Sequence, residues 1–343
     1  MDGAGNLYIA DLTNCLAYKV NAITNHIVAI AGDYQFTGTG VRPSTTPEPA
    51  LGSNVCPQAI AVDGVGNVYI VDANVMNTGG YPYEVDEVSA ATGQIFVMVG
   101  GGSNAPSTTP QAALSVLLNG INSLATDGSG NLYISDFFNN LVEKVTPAGQ
   151  LAIFAGGGST PASTTPQAAT SAALNGPTGM VMDGAGNFYI SDQNIGVIEM
   201  VNSSGQIVSV AGGGGNAPST TPQVALSVAI SNPAGLAVDG AGDLYIADYS
   251  HQVVEQMNLA GQLLVVAGGG GGTVPSATAA ASTSAQLGLI EGVEGDGAGN
   301  IYIADGQDIG GGDNMVEKVS ATSAPLNFPS PTWDRAACRN RSS

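Results

Sequence analysis

Apolar residues come in short runs along the chain, each cut off by a cluster of Gly, Asp or Asn, as in "NLYISD" (Asn131 to Asp136), "LVEKV" (Leu141 to Val145) and "QLAIFAG" (Gln150 to Gly156). Runs of this length between turn residues read as β-strands. One phrase built on them recurs six times: DGAGNLYIAD at 2, DGVGNVYIVD at 63, DGSGNLYISD at 127, DGAGNFYISD at 183, DGAGDLYIAD at 239 and DGAGNIYIAD at 296. The intervals are 61, 64, 56, 56 and 57 residues, the mark of a repeat architecture.

Each unit predicts a four-stranded antiparallel meander. The first strand is the apolar run before the phrase, as in "GLAVD" (Gly235 to Asp239). The D-G-x-G-N cluster makes a tight hairpin turn, because its glycines accept positive φ and Asn tolerates the left-handed region. The second strand is "NLYIAD"; "LVEKV", the turn "TPAGQ" and "QLAIFAG" supply the rest. Second strands leave no polar face: Leu132, Tyr133 and Ile134 are consecutive. Strands that read this way are buried on both sides, as they are when similar sheets stack radially.

The chain is therefore expected to be all-β, a six-bladed β-propeller of four-stranded antiparallel blades. Its first and last blades read as incomplete, because no strand precedes Asp2 and the last unit ends in the Pro-rich "SAPLNFPSPT". The propeller is assigned to 1–324, with repeat cores near 2–32, 57–100, 121–156, 177–212, 233–268 and 290–320. A Pro-rich and then basic tail, 325–343, is expected to be disordered, and both ends read as cuts from a larger protein.

"PTGMVMDGAGNFYISD" (Pro177 to Asp192), "VIEMVNSSGQIVSVAGGG" (Val197 to Gly214) and linkers such as "ATSAALNGP" (Ala169 to Pro177) resemble the NHL-repeat family of six-bladed propellers, in its bacterial form. The resemblance covers about residues 1 to 320. It implies the fold and an extracellular or periplasmic location; the family spans RNA binders, lyases, sensors and adhesive modules, so it implies no single activity. Many NHL repeats carry Asn-His-Arg at the start of the third strand, with the Arg facing the Asp that ends the second. Here those places read Cys15, Asn140, Gly196, Gln252 and Asn314, so the Asp residues lack that partner.

Charge narrows the functions. The net charge is −20, and 26 acidic residues against four basic ones precede Trp333. Such a surface repels phosphate backbones and anionic membranes, so no nucleic acid is expected as a partner. No apolar stretch reaches the roughly 18 residues that span a bilayer, and no membrane insertion is expected. The expected partner is a protein, peptide or glycan, bound by a monomer.

In a meander blade the loops between second and third strands share one face with the blade-to-blade connections. Those connections are long and repeat "PSTTPQ" at Pro106 and Pro218, "PSTTPE" at Pro43 and "PASTTPQ" at Pro161. They are read as solvated connectors or as part of a binding surface. Asp72, Asp136, Asp192, Asp248 and Asp305, with Asp11, end the second strands on that face. Loop caps are the structural reading and a Ca²⁺ ring the functional one, although blades stand too far apart to share an ion.

Aligned inner strands place Gln58, Asn122, Thr178, Ala234 and Glu291 at one equivalent position near the channel mouth. Three residues on, Glu294 replaces Ala61, Ala125, Val181 and Ala237, the most anomalous substitution in the repeats. Lactonase-like propellers hold a divalent cation with carboxylate and amide groups, so Glu291 and Glu294, with Asn122 and Gln58, are the metal candidates for a metal-assisted hydrolase or lyase. The only two histidines, His26 and His251, fall in different blades and make no zinc cluster. No nucleophile with an adjacent base is visible. No catalytic residue and no cofactor are therefore expected, with Ca²⁺ as the one cation considered. Cys15 begins a third strand and Cys56 precedes the next blade's first strand, so a disulfide between them is geometrically accessible.

Overall fold

A computed structural model describes residues 1–33, 43–72, 83–270, 282–296, 298–306, 315–320 and 332–334. The chain is all-β and adopts the six-bladed β-propeller fold that its repeats predict. It divides into two compact units, 1–161 with 169–177 and 162–168 with 178–343, each built from three consecutive sheets.

The first unit begins with a three-stranded sheet, Leu7–Asp11, Leu16–Val20 and Ile27–Gly32. Its second sheet runs Pro57–Val62, Val68–Asp72, Glu84–Val88 and Gln94–Gly100 from inside outward, and its third Ile121–Thr126, Leu132–Asp136, Leu141–Val145 and Gln150–Gly156. Both carry a fifth strand on the outer edge, Glu48–Pro49 and Gln111–Ala112.

The second unit repeats the plan. Its first sheet holds Pro177–Met182, Phe188–Asp192, Val197–Val201 and Gln206–Gly212, and its second Pro233–Val238, Leu244–Asp248, Val253–Met257 and Gln262–Gly268. Gln167–Ala168 and Gln223–Val224 are the outer edge strands of these two. The last sheet holds Ile290–Gly295, Ile301–Asp305 and Met315–Ser320. Thr332–Asp334 pairs antiparallel with Met315–Ser320. The rest of the tail 325–343, with Cys338, and Asn314 lie outside the described residues.

Four of the sheets thus have five strands instead of the expected four. The connections supply the extra strand. Each passes down the outer edge of the sheet that it is about to join, so that Ile153 donates its backbone N–H to the Ser107 carbonyl at 2.9 Å, and Gln111 and Ala112 pair with Leu151 and Gln150. An open sheet edge leaves a row of unmet N–H and C=O groups, and this route fills it. The connection then returns inward through a single 3₁₀ turn. Ala113, Val116 and Leu118 enter one apolar cluster with Val71, Val85 and Val99 of the second sheet and Ile121, Leu132 and Ile134 of the third. The long segments are therefore structural along most of their course.

The structure joins Cys15 to Cys56 by a disulfide, the pairing that strand order leaves geometrically accessible. It ties the turn before Leu16–Val20 in the first sheet to the start of the neighbouring inner strand, Pro57–Val62. Other blades make the same tie by other means. Asn140, in the left-handed region at φ 57°, accepts the Gly176 N–H on its Oδ1 at 2.8 Å. Gly196, at φ 64°, leaves no room for a side chain, because an added Cβ would stand 2.3 Å from the Ile230 carbonyl oxygen.

Candidate functional site

The two ends of each second strand are the polar regions of the blade. At the hairpin end, Asp127 accepts the N–H groups of Ser129 and Asn131, both at 2.9 Å, on one oxygen. Its other oxygen accepts the Asn131 amide at 2.6 Å and the Tyr133 hydroxyl at 3.2 Å. The same set recurs around Asp2, Asp63 and Asp183. This is turn chemistry, not a cation loop. Lys19 and Lys144 lie over the rings of Tyr8 and Tyr133, at 5.2 and 5.3 Å from their centres, and reach the same Asp residues. Against the upward pull of burial, the donors from Asn6 and Tyr8 hold Asp2 well below the usual carboxylate range, and Asn131, Ser129 and Tyr133 lower Asp127 likewise.

At the loop end, Asp72, Asp136, Asp192, Asp248 and Asp305 are buried. Four of them accept backbone N–H groups from the segment leading into the inner strand of their own sheet: Cys56 to Asp72 at 2.9 Å, Asn119 to Asp136 at 3.1 Å, Ser231 to Asp248 at 3.2 Å and Gly288 to Asp305 at 3.1 Å. Asp136 also accepts the Asn139 side chain, and in the corresponding place Asp248 meets His251 Nδ1 at 2.7 Å. These carboxylates fasten the loop and the inner strand to one point.

A second row of acids lies beside them. Glu143 stands opposite Ile134 in the register, on the face that carries Asp136, and the same holds for Glu199 opposite Ile190 and Glu255 opposite Ile246. All three are fully buried, and none of their oxygens meets a donor among the described residues. Burial, and then the adjacent Asp, push Glu199 up to about 8 and Glu255 up to about 9, and Glu143 rises well above its usual value for the same reasons. Burial also pushes Asp136 up to about 6, against the donors that Asn139 and Asn119 direct at it. Asp86 and Glu317 occupy the matching buried positions of the second and last sheets. Sequence reading missed this row, although an acid in the middle of an apolar third strand repeats in five blades.

The inner-strand candidates fall in separate settings. In the first unit Gln58 and Asn122 meet, the Gln58 amide donating to Asn122 Oδ1 at 3.5 Å. In the second, Thr178 is buried and its hydroxyl donates to the Pro233 carbonyl at 2.8 Å, binding one inner strand to the next. Those strands approach at glycine, since a Cβ on Gly179 would stand 2.0 Å from the Ala234 oxygen. Glu291 and Glu294 are both exposed on Ile290–Gly295, and a side chain added at Gly306 would meet the Glu291 carboxyl. No group of three or more His, Cys, Asp or Glu able to hold a metal occurs among the described residues.

One cavity of about 260 Å³ opens in the second unit beside His251, lined also by Ser219, Thr220, Thr283, Val253 and Val265. Its hydroxyls come from two successive connections and its imidazole from the loop that Asp248 holds. No helix of the described residues is long and apolar enough to cross a membrane.

No protein-family profile matches the chain, and no curated protein matches it in sequence. Solved structures match in fold. A chain of a nidogen/laminin complex superposes with a TM-score of 0.57 at 16% identity, covering 92% of this chain and 88% of that one. An auxiliary nutrient binding protein from Bacteroides ovatus gives 0.55 at 14% identity, covering 88% of this chain and 63% of its own. The gluconolactonase XC5397 from Xanthomonas campestris gives 0.52 at 14% identity, over 88% and 80%. At these identities the likeness establishes the six-bladed propeller fold, shared by binding proteins and enzymes alike.

Proposed function

We propose that the protein is a non-enzymatic propeller scaffold of the NHL-repeat type, which binds a protein, peptide or glycan through the face that carries the loops between second and third strands. The observation behind this reading is that three of those loops carry an exposed apolar group at the tip. Leu12, Phe138 and Ile195 are 48%, 62% and 41% exposed there, one residue or a few beyond an Asp that ends a second strand. Phe137 and Phe138 stack edge to face at 5.1 Å, which stiffens that tip. Exposed aromatic and aliphatic groups on pre-positioned loops lose little entropy on binding and supply most of its energy. The cavity beside His251 adds hydroxyl groups suited to a polar ligand. A location outside the cytosol agrees with the Cys15–Cys56 disulfide.

Peptide and glycan libraries screened against the parent protein and against Phe138→Ser and Leu12→Ser variants test it. A ligand whose affinity drops about tenfold or more in either variant fits the loss of a buried aromatic or aliphatic anchor. A ligand that binds both variants as well as the parent would move the site elsewhere.

The second reading is a metal-assisted, lactonase-like hydrolase or lyase, favoured by the two exposed carboxylates Glu291 and Glu294 on one inner strand. There the carboxylates would hold a divalent cation that polarises a carbonyl. Calorimetric titration with Ca²⁺, Mg²⁺ and Zn²⁺ separates the two. Saturable uptake lost in Glu291→Gln and Glu294→Gln, together with turnover of a lactone panel, would displace the scaffold reading.

A further inference from the structure

His251 differs from its counterparts in a way that matters for binding. At the third residue past the Asp that ends the second strand, the first and third sheets have asparagine, and Asn14 and Asn139 donate their amides to Asp11 and Asp136 at 2.7 and 2.8 Å. His251 takes that place and that bond, its Nδ1 standing 2.7 Å from Asp248 Oδ2. An imidazole has what the amide lacks, a second nitrogen on its far edge. Asp248 is fully buried and also accepts the backbone N–H groups of His251 and Ser231, at 3.1 and 3.2 Å, so the ring hangs from a fixed anchor. With Nδ1 turned to Asp248, Nε2 is left for a ligand, and the His251 side chain is 37% exposed.

The cavity of about 260 Å³ beside this ring has a definite chemistry. Ser219, Thr220 and Thr283 bring three hydroxyls, and Val253 and Val265 bring apolar walls. Ser219 Oγ accepts the Thr221 N–H at 3.0 Å, which leaves its own proton to donate. The Thr220 and Thr283 hydroxyls have no partner among the described residues. The main chain beside them is already paired: Val265 donates its N–H to the Ser219 carbonyl at 2.8 Å, and Gly268 stands against Val253 in the ladder. An extended peptide is held through such main-chain groups, and here they are taken. No carboxylate of the described residues lines the cavity to hold a cation, and the net charge of −20 repels an anion. A purely apolar ligand would leave three hydroxyls and an imidazole nitrogen without partners.

We propose that this cavity is a binding site for a neutral sugar, a single hexose or the terminal ring of a glycan. The sugar hydroxyls exchange hydrogen bonds with His251 Nε2 and with the Ser219, Thr220 and Thr283 hydroxyls, while the C–H face of the ring lies against Val253 and Val265. A hydroxyl both donates and accepts, so a ring that carries several can satisfy this mixed set at once. The volume suits one ring. The inference rests on the scaffold reading, since the His251 loop belongs to the same face, and gives that reading a ligand class.

The test titrates the full chain with methyl α-glucoside, methyl α-mannoside, methyl β-galactoside and N-acetylglucosamine, followed by saturation-transfer NMR. An uncharged, blocked alanine dipeptide is the peptide arm. At least one sugar is expected to bind saturably with a Kd of roughly 10⁻³ M, the range open to a ligand of about a dozen non-hydrogen atoms. His251→Asn keeps a donor for Asp248, as Asn139 does for Asp136, and should weaken that sugar at least fivefold, as should Thr220→Val. Thr108→Val, the matching change in the third sheet, should leave the affinity as it is, and melting curves verify that the variants are folded. No saturable sugar, a sugar held equally well by His251→Asn and Thr220→Val, or saturable binding of the dipeptide alone overturns the inference. Phe138→Ser keeps the two readings apart, because it should not change sugar affinity. A library ligand lost in Phe138→Ser while no sugar binds leaves the loop-tip reading standing and sinks the sugar site.

Discussion

The two ends of the second strand carry the same residue, aspartate, in opposite circumstances. At the hairpin end Asp127 collects four donors from its own turn and strand, with Lys144 nearby, and its carboxyl is held low. At the loop end Asp136 is also met by N–H groups, yet burial outweighs them and pushes it up to about 6. Depth of burial weighed against the donors within reach, not the donors alone, decides whether such a group keeps its charge. Where two buried acids stand together without a base, one proton between them costs least.

The largest expected effect is on the loop end. Glu199 and Glu255 have folded values of about 8 and about 9 against an ordinary 4.5. Groups shifted upward bind protons on folding, so the stability they contribute is whole below about pH 4.5 and is lost as pH rises through about 8 to 9. Each is worth on the order of 5 kcal/mol across that window. Thermal melts from pH 5 to pH 9 should show a midpoint that falls on the order of 10 °C or more. Glu199→Gln with Glu255→Gln should flatten that alkaline limb. A midpoint independent of pH between 5 and 9 would show that the acids are ionised throughout, and the contrast between the two ends would collapse.

The hairpin end should behave in the reverse sense and with smaller amplitude. Asp127→Ala removes the acceptor of four donors, two of them backbone, and should cost roughly 2 to 4 kcal/mol at pH 7. The shift there is downward, so the stability it carries is present above the ordinary value of 3.8 and is lost as pH falls below it. The penalty of Asp127→Ala should therefore shrink in acid, where the stability contributed by protonated Glu199 and Glu255 is whole. Denaturant titrations at pH 7 and pH 3 compare the two.

Much of this was legible in the sequence, and the remainder was hidden for definite reasons. Strand order and the hairpin turns follow from apolar runs and D-G-x-G-N, because both depend on local geometry. The Cys15–Cys56 tie was legible because strand order alone brings those positions together. The outer strands were not, since a two-residue pairing such as Gln111–Ala112 has no periodicity to read. Only the repetition of "STTPQ" signalled that those residues do the same job each time. The buried acids were overlooked because an Asp or Glu inside a strand is normally assigned to a solvated face; stacking of sheets removes that face. Glu294 drew attention for the opposite reason, as a polar residue among Ala and Val, and it is exposed.

One blade mixes the two kinds of environment and offers the finest comparison. Asp243 stands where the first and third sheets have Asn6 and Asn131, whose amides donate to the turn Asp. As a carboxylate it has no such proton for Asp239, and it is itself buried. Gln256, at the place of Lys19 and Lys144, donates to Asp243 Oδ2 at 2.7 Å and meets part of the need. Burial, and then Asp239, still raise the Asp243 carboxyl against that donor. Asp243→Asn restores the missing donor while leaving an oxygen for Gln256, and should stabilise the protein by about 1 kcal/mol at pH 7. Because Asp243 is shifted upward, a protonated Asp243 already resembles Asn, and the gain should close as the solution is acidified. Paired denaturant titrations of the two proteins at pH 7 and pH 3 measure it; a gain that persists unchanged in acid would mean that the substitution acts through packing, not through the proton.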